Sequence, residues 1–242
     1  MAEWFASVKA EFELNFIKAD RWEYLVTGLG NTLLLTLVAL IVGVLIGIVV
    51  AAVRSTYDKT AETARPSFGR RVFGFFNGLC KVYLTVVRGT PVVVQVMIFF
   101  YVIFATAKDG TMVAALAFGI NSGAYVAEII RGGIMSIDNG QFEAGRSLGF
   151  NYLQTMRYII VPQTIKNVLP SLMNEFIALL KETSVAGYVA VQDLTKAGDI
   201  IRSRTYSAFM PLIAVALIYL IVVMFFTWLV GKLERRLRAS DH

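Results

Sequence analysis

The chain has 242 residues, of which 57% are hydrophobic and only 17% charged, with a formal net charge of +6. Soluble domains average about 45–50% apolar and about 25% charged residues, so an ordinary water-soluble fold is excluded. One cysteine, Cys80, and one histidine, His242, cannot build a His/Cys metal site, a disulfide framework or an imidazole-based triad.

Residues 1–23 place Trp4, Val8, Phe12 and Phe16 at a spacing of four, which lines one helix face and predicts an interfacial helix on the outer leaflet. From Tyr24 to Val53 there is no Asp, Glu, Lys or Arg, longer than the roughly 20 residues that cross a bilayer and too long for a cleavable leader. Within it Gly43 and Gly47 form a small-xxx-small pair. A second span is expected at 79–107, interrupted at Arg88-Gly89-Thr90-Pro91. A third is expected at 111–137, a fourth at 167–191 carrying Glu175, Lys181 and Glu182, and a fifth at 205–231. The expectation is an all-α membrane domain over 24–239 with about five transmembrane helices and a loop at 138–166.

Five spans put the termini on opposite sides, and the distribution of Lys and Arg chooses between the two orientations. The side holding Arg54, Lys59, Arg65, Arg70 and Arg71, Arg131 at the inner end of the third span, the 138–166 loop and the C-terminal segment has thirteen such residues. The other has seven, and its N-terminal segment adds five acids. The N terminus is expected outside and the C terminus in the cytoplasm, so the basicity reads as topology rather than nucleic-acid binding.

In the cytoplasmic loop Gly140 suits a turn, Glu143 is expected in the first turn of a helix, and Gly149 is placed to end it. Pro162 is expected to break the chain before the next span. The two glycines and the small Ala144 leave a thin face that fits another protein's groove.

At this loop the sequence resembles the permease subunits of bacterial ABC importers, in the polar amino-acid uptake group. Glu143, Ala144, Gly149, Ile159 and Pro162 match their Glu-Ala-Ala loop at the right spacing, with Gly145 replacing the second Ala and Val161 replacing a Leu. Arg88-Gly-Thr-Pro91, the stretch Ala124 to Gly133 and Lys181-Glu-Thr-Ser184 follow the same pattern in order. The resemblance implies a type I ABC importer permease fold in the bacterial inner membrane, with Glu143, Ala144, Gly145 and Gly149 coupling to an ATPase. It implies two ATP-binding subunits, a second permease subunit, identical or not, and an extracytoplasmic amino-acid-binding protein. This chain has no Gly-x-x-x-x-Gly-Lys-Ser/Thr loop, so it is expected to bind no cofactor and to be a transport subunit, not an enzyme.

Ionisable groups inside a span cost about 2.5–3.5 kcal/mol each, so each needs a reason. Glu128 and Arg131 have the spacing of an ion pair, and Glu128 is also a substrate candidate. Glu175 is placed within about two turns of the inner surface, where water can reach it. Counting from Leu79 puts the Gly89-Thr90-Pro91 break roughly 15 Å deep, where freed amides suit a carboxylate. Gln95 follows on the same segment. Lys181, Glu182, Thr183 and Ser184 fall near the midplane, with Glu182 suited to an ammonium group. The competing class is a stand-alone ion channel or secondary transporter, which five spans serve poorly because they do not divide into two equal repeats.

Overall fold

The computed structural model describes residues 1–60 and 67–238. Arg65, counted among the cytoplasmic cations, and residue 239, the expected domain end, lie outside the described residues. The fold is all-α: α1 (Ala2–Phe12), α2 (Trp22–Lys59), α3 (Phe68–Gly89), α4 (Val92–Ile98), α5 (Gly110–Met135), α6 (Asn139–Ser147), α7 (Tyr152–Thr155), α8 (Val161–Glu182), α9 (Leu194–Thr205) and α10 (Phe209–Arg238). Wide π turns follow α1, α4 and α7, and a tight 3-10 segment, Thr183–Val189, follows α8.

Among the described residues three helices are long and apolar enough to cross a membrane: α2, α5 and the Phe209–Leu237 part of α10. A fourth crossing is counted if α3 and the segment Val92–Ile103 form one span bent by 110°. The expected five spans are therefore reduced to three or four on length and apolarity alone. The fourth expected span lies largely on α8, whose Lys166, Glu175, Lys181 and Glu182 keep it below the apolarity of a membrane helix.

Three boundaries differ from the sequence expectation for physical reasons. The helix entering the bend starts at Phe68 rather than near residue 79, because α3 is strongly amphipathic and its cations hide it from a search for apolar runs. Its break thus comes after 22 helical residues instead of about ten. Pro162 does not stop the chain: α7, the π turn Met156–Ile160 and α8 run on, and the wide turn gives the ring room where it would meet the preceding carbonyls. Finally, α8 begins at Val161 rather than Asn167, so Lys181 stands twenty residues into it, roughly 30 Å along the axis.

The chain divides into two compact units. The first comprises Met1–Ala39, Val92–Phe118 and Ile177–Leu229. Its core gathers Phe16, Leu25, Leu194, Ala197, Ile201 and Val215. Phe16 is thus turned inward, whereas Trp4 and Phe12 of the same stripe stay exposed. Helices α2 and α9 approach closely, since a Cβ on Gly28 would lie 2.8 Å from that of Ala197.

The second unit, over its described residues, comprises Leu40–Pro91, Gly119–Phe176 and Val230–His242. Val50, Leu84, Ala124 and Ala127 form one core cluster, and Ile134, Ile137 and Ile160 another. The Gly43/Gly47 pair seats α5: a Cβ on Gly47 would lie 2.4 Å from Val126 Cγ1. Tyr83 ties α3 to α5 by donating to the Ile120 carbonyl at 2.6 Å.

Candidate functional site

The loop helix α6 is built by its caps. The Asp138 carboxylate accepts the Gly140 N–H, so the helix starts at Asn139, Gly140 lies inside its first turn, and Glu143 falls in the second. The expected turn at Gly140 and first-turn place of Glu143 are corrected, because a capping aspartate outweighs glycine's turn preference. At the far end Gly149 adopts φ +81° and the Phe150 N–H bonds back to the Gly145 carbonyl at 3.0 Å, which closes the helix. Gly145 is buried where a Cβ would come within 2.6 Å of Thr155 Cγ2, which explains why glycine stands in place of alanine. Glu143, Ala144 and Ser147 are exposed, and Leu148 and Leu153 present 70% and 75% of their surface. Next to this helix a cleft of about 540 Å³ is lined by Asp58, Lys59, Asn139, Glu143, Arg146 and Thr155, among others.

Glu128 and Arg131 pair at 3.0 Å, and Arg131 also reaches Asp58 at 3.7 Å, so α2 and α5 are joined through one guanidinium. Both partners of the closer bridge keep about a quarter of their side-chain surface exposed.

Among the other sequence-selected residues, α4, which carries Gln95, packs on the segment Thr183–Val189, and the Tyr101 hydroxyl donates to the Tyr188 carbonyl at 3.0 Å. Thr183 is fully buried: its hydroxyl donates to the Leu180 carbonyl at 2.8 Å and lies 3.4 Å from that of Thr36. Lys181 is exposed, while Glu182 and Ser184 are half-buried. Gly89, Thr90 and Pro91 are exposed, and Thr90 folds its hydroxyl back onto the Val86 carbonyl at 2.8 Å, so the bend is stabilised locally.

Sequence reasoning missed several polar groups. Glu175 lies fourteen residues into α8, roughly 21 Å along it, and accepts a 2.8 Å hydrogen bond from the fully buried Ser122. The sequence singled out Glu175 and left it out of the site as a group that water can reach near the inner surface; its partner Ser122 was not foreseen. Asn31 and Thr32 interrupt the first apolar run. Asn31 donates to the Gln192 carbonyl at 2.8 Å, and Thr32 accepts the Leu194 N–H at 3.0 Å. Asp193, fully buried, caps α9 by accepting the Thr195 and Lys196 N–H groups at 3.1 and 3.0 Å. Burial pushes its carboxyl above the ordinary range, against those same bonds. On the exposed side of α9, hydrogen bonds from Arg202 and then Lys196 hold the Asp199 carboxyl below it.

Residues 43–239 match the family described as binding-protein-dependent transport system inner membrane component. The chain belongs to this family. It is the permease subunit of an ABC importer, a non-catalytic transport component of the inner membrane. The permease is 37% identical over 174 residues to the glutamine transport system permease protein GlnP of Escherichia coli K12, covering 69% of this chain and 80% of that one. It is 35% identical over 185 residues to the arginine transport system permease protein ArtQ of Bacillus subtilis 168, covering 70% and 84%. Among solved structures, a crystal structure of an amino acid ABC transporter with histidines superposes with a TM-score of 0.78 at 38% identity, over 90% of this chain and 96% of the other. The MetNI methionine ABC transporter in an inward-facing form superposes at 0.74 over 89% and 97%, and at 19% identity this shows the type I importer fold alone.

Proposed function

We propose that this permease moves a polar amino acid into the cytoplasm as one of two permease subunits, driven by two ATP-hydrolysing subunits and supplied by an extracytoplasmic binding protein. The observation that carries the reading is the conjunction of the permease fold with the capped loop helix at Asn139–Ser147, whose exposed Glu143 and Ala144 and left-handed stop at Gly149 offer a rigid docking element. The chain crosses five times in this reading, with the bent α3–α4 segment as the second crossing and α8 as the fourth, the N terminus outside and the C terminus inside. Helix α1 rests on the outer leaflet through Trp4 and Phe12.

Substrate passes the segment that opens at Thr183, with Gln95 of the neighbouring α4, Ser184 and the Glu182 carboxylate as its polar partners. Lys181 is the compensating cation of that segment. Gly89, Thr90 and Pro91, exposed at the end of α3, are kept as separate substrate candidates. Glu128 is assigned to its ion pair. The deciding experiment is uptake of labelled glutamine, arginine and histidine into proteoliposomes holding the permease with its ATPase and binding protein. Uptake that requires internal ATP is expected; uptake driven by an ion gradient without the ATPase would establish the secondary-transporter reading instead. A cysteine at residue 2 is expected to react with an impermeant reagent from outside and one at residue 240 from inside only, and the reverse would invert the topology.

A further inference from the structure

Beside the Glu128–Arg131 pair, the second unit holds a cleft of about 460 Å³ whose lining includes Arg54, Lys81, Thr85, Arg88 and Glu128. Its charges do not balance. Glu128 is engaged by Arg131, and Arg131 also meets Asp58, so four cations stand against two carboxylates. Three of the cations face the cleft. Arg54 is oriented by donating through Nη1 to Asn77 Oδ1 at 3.2 Å, and its buried Nε–H has no acceptor among the described residues. The Arg88 guanidinium lies 5.5 Å from the centre of the Tyr125 ring, which holds it at a fixed pitch, and it shares the cleft with the Glu128 carboxylate.

We infer that this cleft binds the phosphate of an anionic phospholipid of the inner leaflet. The chemistry of the donors selects the headgroup: two guanidinium forks and an ammonium match a tetrahedral anion with several oxygens. A zwitterionic amino acid fits less well, because the one carboxylate in the lining is already paired and cannot serve its ammonium group.

The flank of the cleft selects a lipid over free phosphate. On α3, Lys81, Thr85 and Arg88 recur at helical spacing as one stripe, and Leu79, Val82 and Val86 form the adjoining stripe, with 50%, 60% and 55% of their surfaces exposed. A phosphate on the first stripe places its acyl chains along the second. The position along α2 agrees: Arg54 directly follows the uncharged run that ends at Val53, and in the orientation proposed above that is where inner-leaflet headgroups begin. The assignment of leaflet rests on the orientation proposed above, whereas the binding itself does not.

The test uses the purified transporter complex in detergent, titrated with phosphatidylglycerol, phosphatidylcholine and inorganic phosphate and read by native mass spectrometry of retained lipid. Phosphatidylglycerol is expected to be retained roughly tenfold over phosphatidylcholine, and the variant Lys81→Met with Arg88→Gln is expected to abolish that preference. Lys81→Met alone, at an exposed position, is expected to weaken it severalfold with an unchanged melting temperature. Equal retention of the two lipids, or an undiminished preference in the double variant, overturns the site. Full displacement of the lipid by millimolar inorganic phosphate overturns the lipid source and leaves a free-anion site. Inside labelling of residue 2 would move the site to the other leaflet without touching the binding result, so the two failures are distinguishable.

Discussion

Around the start of α9 the permease buries Thr32 and Asp193 completely and satisfies them with backbone N–H groups, whereas at the C-terminal ends of α2 and α5 it clusters Asp58, Glu128 and Arg131 as ion pairs that water can reach. The first arrangement suits depth: a neutral hydroxyl or a carboxylate held by amides leaves few unmet bonds, and each bond is worth more where water is excluded. The second suits an edge. Side chains a quarter exposed are partly hydrated, so each bridge contributes less and surplus cations are tolerated. Access to water, more than polarity, decides which device is used.

The largest effect is expected at the α9 cap. Asp193→Ala strands two amides in a buried site and should cost about 2 kcal/mol, seen as a lower melting temperature in detergent. Asp193→Asn can cap nearly as well and should stay within about 0.5 kcal/mol. Equal losses in the two variants would remove capping as the cause. The pH dependence has a defined sign. Because burial raises the Asp193 carboxyl above its ordinary value of 3.8, its contribution is fully present below that value and is lost as pH rises through the raised one. The asparagine variant should lose that slope.

A smaller effect is expected at the edge. Arg131→Met removes the guanidinium that joins Asp58 to Glu128 and should cost about 1–2 kcal/mol, discounted from the fully buried case because both side chains keep about a quarter of their surface. Adding Glu128→Gln should recover about half of it in a double-mutant cycle. A loss as large as that of Asp193→Ala, with no recovery, would show that the edge behaves as a buried site and dissolve the contrast.

The loop helix supplies the finer tests. Gly145→Ala drives a methyl into Thr155 and should cost about 1 kcal/mol, together with weaker ATP-coupled uptake; Thr155→Ala in the same chain removes both nearest atoms and should restore both. At Gly149 the φ of +81° penalises a β-branched residue, so Gly149→Val should cost about 1 kcal/mol, and Gly149→Asn, which tolerates that backbone, a few tenths. If valine and asparagine impair coupling equally, the side chain at that position obstructs docking and backbone strain is not the cause.

Much of the outline was legible in the residues themselves. The apolar runs on α2, α5 and α10 exceed a bilayer's thickness without help from packing, so length and hydropathy suffice for them. The loop helix, with Gly149 at its end, was legible because its stop depends on local backbone chemistry. Helix α3 was half-read, since an amphipathic span scores as surface helix until its apolar stripe is seen facing outward. The start of α8 was read late, at Asn167, because it depends on a π turn before Pro162, a feature with no local signature.

By itself, then, the sequence determined that the chain lives in a membrane, where its principal spans run, and which loop resembles a coupling element. These follow from transfer free energy and backbone conformation, which are properties of neighbours in the chain. Only the tertiary structure decided which polar groups meet. Thr32 and Leu194 are 162 residues apart, Ser122 and Glu175 are 53 apart, and Gly145 is held to glycine by Thr155 across a turn. Such pairings arise when helices approach to van der Waals contact, and helical periodicity shows the face a residue occupies but not the partner it meets there.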